Sequence, residues 1–191
     1  MQELKQRILD ISQQERLSHI GSCLTMVEVL DEIYSQKKSE DIVILDAGHA
    51  HLAHLVIREA YEGLEGIEEL IKHDIHCNQE AGCEVSTGSL GLGITIALGR
   101  AMANRDRDVY CILSDGGCAE GSVWEALRIK SGLNVDNLKV YVNANGYGAL
   151  GEIDVDLLET RLKAFDPSIQ VRRTNSDFGN IKGLDAHYKQ I

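Results

Sequence analysis

Two apolar runs of this chain each end in ligand-type residues, and that ending constrains the fold more than any other feature. Cys111-Ile112-Leu113 leads into Ser114-Asp115-Gly116-Gly117 just ahead of a helical pattern. About thirty residues beyond Asp115, a second apolar run reaches Asn143-Ala144-Asn145-Gly146-Tyr147. Short runs without polar alternation are buried on both faces, as strands of a parallel sheet are. Such runs fall at 42–45, 109–113, 138–142 and 169–172. Helical spacing falls at 2–15, from a capping box of Thr25 and Glu28 through Tyr34, and at 49–60, 91–103, 121–131 and 157–165. Strands separated by helices predict an α/β fold, a parallel sheet with helices on both faces, whose ligands sit at the carboxyl ends of the strands. Gly48, His49, Asp115 and Asn145 all follow predicted strand ends, so their chemistry should converge on one edge. The one proline, Pro167, marks a loop with Asp166, and no repeat or low-complexity linker divides the 191 residues.

A carboxylate and an amide oxygen at two strand tips are suitable ligands for a hard cation. Glycines beside them let backbone N–H groups and a helix N-terminus approach phosphate oxygens. As a bare pattern, Asp115 with Asn145 also fits a simple strand-to-helix turn followed by an Asn-Gly turn.

The spacing from Asp115-Gly116 to Asn145 resembles the thiamine-diphosphate signature Gly-Asp-Gly followed at a distance by Asn, with Ser114 in place of the first glycine. Four further stretches, in chain order, resemble the diphosphate-binding half of transketolase. Leu17-Ser18-His19-Ile20-Gly21-Ser22 is similar to its Gly-His-Pro-Gly-Ser segment. Ile44-Leu45-Asp46-Ala47-Gly48-His49-Ala50 is similar to Leu-Ser-Lys-Gly-His-Ala, with Asp46 and Ala47 replacing the serine and lysine. Val85-Ser86-Thr87-Gly88-Ser89-Leu90-Gly91-Leu92-Gly93 nearly repeats Val-Ser-Thr-Gly-Ser-Leu-Gly-Gln-Gly, and Glu120-Gly121-Ser122-Val123-Trp124-Glu125-Ala126 matches Glu-Gly-Gln-Val-Trp-Glu-Ala. The resemblance is close from about residue 5 to 150. It implies the thiamine-diphosphate-binding fold, as a single, shortened diphosphate-binding domain over 1–191.

Carried over residue by residue, the resemblance implies Mg²⁺ ligation by Asp115, Asn145 and the backbone carbonyl of Tyr147. Gly116 and Gly117 would give backbone contact to the diphosphate of thiamine diphosphate, His49 would contact the cofactor as well, and Gly88, Ser89 and Leu90 would contact its aminopyrimidine end. His19 and His76 would face sugar hydroxyls as orienting or acid–base groups. His76 matches only by its distance before Gly82, with Cys77 replacing a proline, and His187 resembles a cofactor-side histidine in Lys182-Gly183-Leu184-Asp185-Ala186-His187-Tyr188.

Transketolases also carry a second domain, whose glutamate activates the aminopyrimidine, and no segment here resembles it. The resemblance therefore implies one subunit of a split-gene transketolase-like transferase acting on sugar phosphates. Its partner would be a separately encoded pyrimidine-binding subunit, in a homodimer or heterotetramer, and the chain alone would be inactive. Two alternatives stand beside this: a subunit of another thiamine-diphosphate carboligase or 2-oxo acid decarboxylase, and a non-catalytic cofactor-binding or scaffold protein.

Charge bears on partners. Acidic residues outnumber basic ones 30 to 19, a net charge of −11, which argues against nucleic acid or an anionic membrane. An anionic cofactor must then be held by local devices. With no bilayer-length apolar stretch and no signal-peptide pattern, a cytoplasmic location is expected. Five cysteines, Cys23, Cys77, Cys83, Cys111 and Cys118, show no zinc-finger spacing, and their odd number fits reduced thiols. Cys111 reads as core and Cys118 as a small residue whose backbone matters. His51, His54 and His73 match no motif and are expected on a solvated helix face. His49 and His51 as a metal-binding pair lack a third ligand.

Overall fold

The computed structural model describes residues 1–73, 75–148, 151–179 and 181–190. Helices α1 (Gln2–Glu15) and α2 (Ile20–Tyr34) precede strand β1 (Ile42–Leu45), followed by α3 (His51–Glu62), α4 (Ile67–His73) and α5 (Gly93–Ala103). Then come β2 (Val109–Ser114), α6 (Gly121–Gly132), β3 (Leu138–Ala144), β4 (Tyr147–Gly148), β5 (Gly151–Glu152) and α7 (Val155–Phe165). The chain continues through β6 (Gln170–Arg173), β7 (Asp177–Phe178), β8 (Ile181–Lys182) and α8 (Leu184–Tyr188). Strands β1, β2, β3 and β6 pair in that order, all parallel, while β4 with β5 and β7 with β8 form small antiparallel pairs.

The two-residue period of the strands splits the core into two layers. Val43, Leu45, Tyr110, Ile112 and Tyr141 pack with residues of α1 through α4 on one face. Ile42, Ile44, Val109, Cys111, Leu113, Val140 and Val142 pack with α5, α6 and α7 on the other. Each buried aliphatic side chain contributes about 1.5–3 kcal/mol of transfer free energy, so the strands must stay apolar on both faces. The expected parallel sheet with helices on both faces is the observed architecture. No helix among the described residues is long and apolar enough to cross a membrane.

Several boundaries differ from the sequence expectation for physical reasons. Helix α2 begins at Ile20, so Thr25 lies inside it rather than at a capping box, and its hydroxyl donates to the carbonyl of Gly21 at 3.0 Å. This helix is buried nearly all round, and packing rather than a polar cap fixes its start. His19 precedes it in the left-handed region, at φ 60°. Helix α5 starts at Gly93 instead of Gly91 because buried Asp46 caps it, accepting from the amides of Gly91 at 3.0 Å and Ile94 at 3.3 Å. A 3₁₀ turn at Gly48–Ala50 precedes α3. Helix α4 is too short for its period to stand out, although Ile67 and Ile71 anchor it. The strand expected at 169–172 forms as β6 but is not the last, since β7 and β8 are too short to show alternation.

Candidate functional site

The tips of β2 and β3 meet as expected. Asp115 follows β2, is only 1% exposed, and accepts from the amides of Gly116 at 3.0 Å and Gly146 at 2.6 Å. Gly146 sits at φ 85°, a conformation open to glycine, and this points its N–H back at the carboxylate. Asn145 turns its Oδ1 onto the amide of Tyr147 at 3.0 Å. Burial pushes the Asp115 carboxyl up to about 6, against the lowering effect of those backbone amides.

Beside the strand tips lies a cavity of about 220 Å³. It is lined by His19, His49, His76, Gly88, Leu90, Asp115, Gly116, Asn145 and Tyr147 among the sequence-predicted residues. Three histidines therefore gather from three separate segments. The His19 and His49 rings lie 5.1 Å apart, and burial together with nearby His76 lowers the His19 pKa. A non-glycine residue held in the left-handed region at a cavity wall is the kind of strain that functional sites store. Gly48 brings the remaining segment in, because a Cβ there would stand 2.6 Å from the Thr87 carbonyl oxygen. The amide of Cys77 donates to the Gly48 carbonyl at 3.2 Å and the Thr87 hydroxyl to that of Leu45 at 2.7 Å, so the 75–92 loop is stitched over the end of β1.

Other expected residues take different places. Ser89 is exposed outside the cavity lining, and Gly117 is buried, its amide donating to the Ser114 hydroxyl at 3.0 Å. The side chain of His187, on α8, lies outside the described residues, as does that of His73. His51 and His54 are not on a solvated face: they are 0% and 3% exposed, because the 75–92 loop covers that side of α3. Cys111 is core, and the Cys118 carbonyl accepts from Trp124 Nε1 at 2.9 Å while burial raises its thiol pKa. The cavity also takes in Ser22, Met26, Ser114, Asn143, Gly148 and Tyr188. Ser22 and Met26 share a face of α2 at i, i+4, a signal available in the sequence once α2 is extended to Ile20. Tyr188 ends the stretch around His187 that resembles a cofactor-side segment, though only His187 was expected at the site, and α8 brings the Tyr188 ring to 6.0 Å from His19.

The donors at the strand tips suit a hard cation carrying a diphosphate. The Asp115 carboxylate and Asn145 amide oxygen are both oxygen ligands, and no lysine or arginine among the described residues lines the cavity to neutralise phosphate charge. A carboxylate and a diphosphate can share this space only with a cation between them.

Comparison with known proteins places the chain as a whole in a family. The family model of 1-deoxy-D-xylulose-5-phosphate synthase matches residues 1–181. Transketolase-like protein 2 of Mus musculus is 32% identical over 174 residues, covering 77% of this chain and 28% of that protein. The 6-deoxy-6-sulfo-D-fructose transketolase subunit SqwG of Clostridium sp. is 28% identical over 181 residues, covering 81% of this chain and 66% of the relative. Among solved structures, transketolase from Leishmania mexicana superposes with a TM-score of 0.74 at 21% identity, over 85% of this chain and 30% of that one. The chain thus spans under a third of the mouse relative's length.

Proposed function

The chain belongs to the 1-deoxy-D-xylulose-5-phosphate synthase N-terminal family, a transketolase-like thiamine-diphosphate-binding domain, and from that premise we propose that it binds thiamine diphosphate with Mg²⁺ and serves ketol transfer between sugar phosphates. The observation that carries this reading is the gathering of His19, His49, His76, Asp115 and Asn145 around one cavity. Asp115, Asn145 and the Tyr147 carbonyl would hold Mg²⁺, Gly116 and Gly117 would meet the diphosphate, and His49 would contact the cofactor as well. The amides of Gly116 and Gly117 are engaged by Asp115 and Ser114 in the free chain, so a phosphate oxygen takes them only in exchange for those bonds. Gly88, Ser89 and Leu90 would face the aminopyrimidine. When bound, the cofactor supplies a carbanion and an electron sink for cleavage next to a carbonyl. His19, held neutral near pH 7 by burial and by His76, is suited to accept a proton from a sugar hydroxyl, and His76 to orient the same sugar.

We further propose that a pyrimidine-binding domain on a separate polypeptide completes the active site in a homodimer or heterotetramer, and that the 191 residues form one diphosphate-binding domain. The subunit designation of the Clostridium relative supports this. A second reading is a subunit of another thiamine-diphosphate carboligase or 2-oxo acid decarboxylase, and the matching family is named for a synthase, not a transketolase. A coupled assay with thiamine diphosphate and Mg²⁺ tests both, using either a ketose phosphate or a 2-oxo acid as donor, with and without a pyrimidine-binding subunit. Turnover is expected only with the ketose and the second subunit. Robust turnover by the chain alone would overturn the two-subunit assignment, and turnover only with the 2-oxo acid would overturn ketol transfer.

A further inference from the structure

We propose that His51, Cys77 and Cys83, joined by His54, form a buried binding site for a zinc-class divalent cation, separate from the strand tips. One ligand atom from each of the first three residues lies within 4.8 Å of the others. Nε2 of His51 is 3.5 Å from the Cys83 sulfur, and Nδ1 of His54 is 4.0 Å from it. Ligand atoms about 2.2 Å from a tetrahedral zinc stand roughly 3.6 Å apart, so His51, Cys77 and Cys83 need modest closure, while His54, outside that cluster though 4.0 Å from Cys83, must move further to become the fourth ligand. The chain delivers the four groups by local geometry. His51 and His54 are three residues apart and share a face of α3. Cys77 and Cys83 flank a turn closed by the Gly82 amide on the Gln79 carbonyl and the Cys83 amide on the Asn78 carbonyl, both at 3.0 Å, which returns the two sulfurs to one side.

The donor set selects the ion. Two thiolates and two imidazoles are soft or borderline ligands that favour zinc, whereas Mg²⁺ requires oxygen. Two thiolates also neutralise a dication, so the occupied site adds no net charge to a region where all four residues are 8% exposed or less. His54 is already oriented by a 2.9 Å contact between its Nε2 and the Tyr34 hydroxyl, the outer-sphere fixing that ligating histidines use. A surface cleft lined by Tyr34, His54, Arg58, Gly82 and Glu84 gives the ion a way in.

Occupancy would also reach the cavity described above, a consequence that rests on the proposed function, although metal binding itself does not. Cys77 adjoins His76, donates to the Gly48 carbonyl, and accepts from the Thr87 amide at 2.9 Å. A cation there fastens the loop bearing His76 and Gly88 to the turn bearing His49.

Cobalt(II) titration of the reduced, metal-free chain tests the site. One equivalent should give a thiolate-to-cobalt charge-transfer band in the near ultraviolet with tetrahedral visible bands, both displaced by zinc. Cys83→Ser and Cys77→Ser should each weaken zinc binding by more than the roughly 10–100-fold that outer-sphere changes cost, whereas Cys118→Ser should keep the bands. Asp115→Ala should also keep them, which separates this site from the proposed Mg²⁺ site. Should the cysteine variants fail to fold, X-ray absorption at the zinc edge of the unmodified chain decides, with two sulfur neighbours expected. A folded, reduced chain that takes up cobalt without a thiolate band, or shows only oxygen and nitrogen around zinc, overturns the proposal. So does a Cys77–Cys83 disulfide that persists with reductant and zinc present.

Discussion

His49 and His51 stand two residues apart where a 3₁₀ turn becomes a helix, yet they face opposite chemistries. His49 lines a cavity that takes in the oxygen donors Asp115 and Asn145 at the strand tips. His51 turns into a core pocket with two sulfurs. About 100° of helical rotation per residue is enough to part them. The comparison teaches that ligand identity in a chain like this is set by which neighbouring segment covers a residue, and only weakly by its sequence neighbours. Loop 75–92 serves both sides, lending His76 and Gly88 to one and Cys77 and Cys83 to the other.

The strongest way to break that comparison is Asp115→Ala. Loss of a direct carboxylate ligand should reduce Mg²⁺-dependent affinity for thiamine diphosphate by at least about 10²-fold, since outer-sphere changes alone reach that size. Calorimetry with and without Mg²⁺ checks it; unchanged affinity would remove the strand tips as the metal site. A slightly smaller effect separates the histidines within the cavity. His19→Ala should lower turnover of the assembled enzyme about 10²-fold with cofactor affinity nearly intact, whereas His49→Ala should weaken cofactor binding itself. Equal loss of cofactor in both variants would mean that the two rings, 5.1 Å apart, share one role.

The two sites were unequally legible in the sequence. Asp115, Asn145 and His49 follow strand ends, and a parallel sheet gathers strand ends on one edge whatever the loops do. Hence most of that cavity could be named from residue order and resemblance, and the fold with it, because the strands are apolar on both faces. Less legible was the local setting of Ser89 and Gly117, the first exposed outside the cavity lining and the second with its amide on the Ser114 hydroxyl. The sulfur site was illegible. Cys77 and Cys83 are spaced unlike any zinc finger, and His51 and His54 meet them only through a loop without periodicity. Nothing local reports that meeting. Tyr188 was not expected at the site for a similar reason, since α8 has too few residues to show a period.

A pH series sharpens the oxygen side. Burial raises the Asp115 carboxyl from its ordinary 3.8 to about 6, so its proton competes with the cation below that pH. Mg²⁺ affinity should be flat above pH of about 6 and fall about tenfold per pH unit beneath it. The sign for stability runs the other way. An acid whose folded pKa is raised destabilises the metal-free chain as pH climbs through the interval from 3.8 to about 6, and added Mg²⁺ should reverse that loss. Affinity unchanged between pH 5 and 7 would mean that the carboxyl is ionised throughout.

The smallest expected effect falls on the sulfur side, and it tests whether the two sites are independent. Tyr34 ends α2, and its hydroxyl lies 2.9 Å from His54 Nε2 within a pair that is 7% and 3% exposed. Tyr34→Phe removes one neutral hydrogen bond and leaves a buried imidazole nitrogen without that partner, so it should cost about 1–2 kcal/mol in the metal-free chain. For a domain of this size that is a fall in Tm of about 2–8 °C. Helix α2 carries Ser22 of the oxygen-lined cavity near its other end, about 18 Å away at 1.5 Å per residue. Tyr34 itself stands at the far end of a packed helix from that cavity, so with zinc chelated and the shared loop 75–92 unfastened in both chains, Mg²⁺-dependent cofactor affinity should stay within about twofold of the unmodified chain, as for positions more than about 10 Å apart. Zinc affinity, by contrast, should drop by about 10-fold, because the ring that offers Nδ1 loses its orienting contact. Thermal melts in chelator, followed by zinc competition and cofactor calorimetry on the same variant, separate these outcomes. A cofactor affinity that falls together with zinc affinity would show the two sites to be coupled through α2, and the division between oxygen and sulfur sides would have to be redrawn.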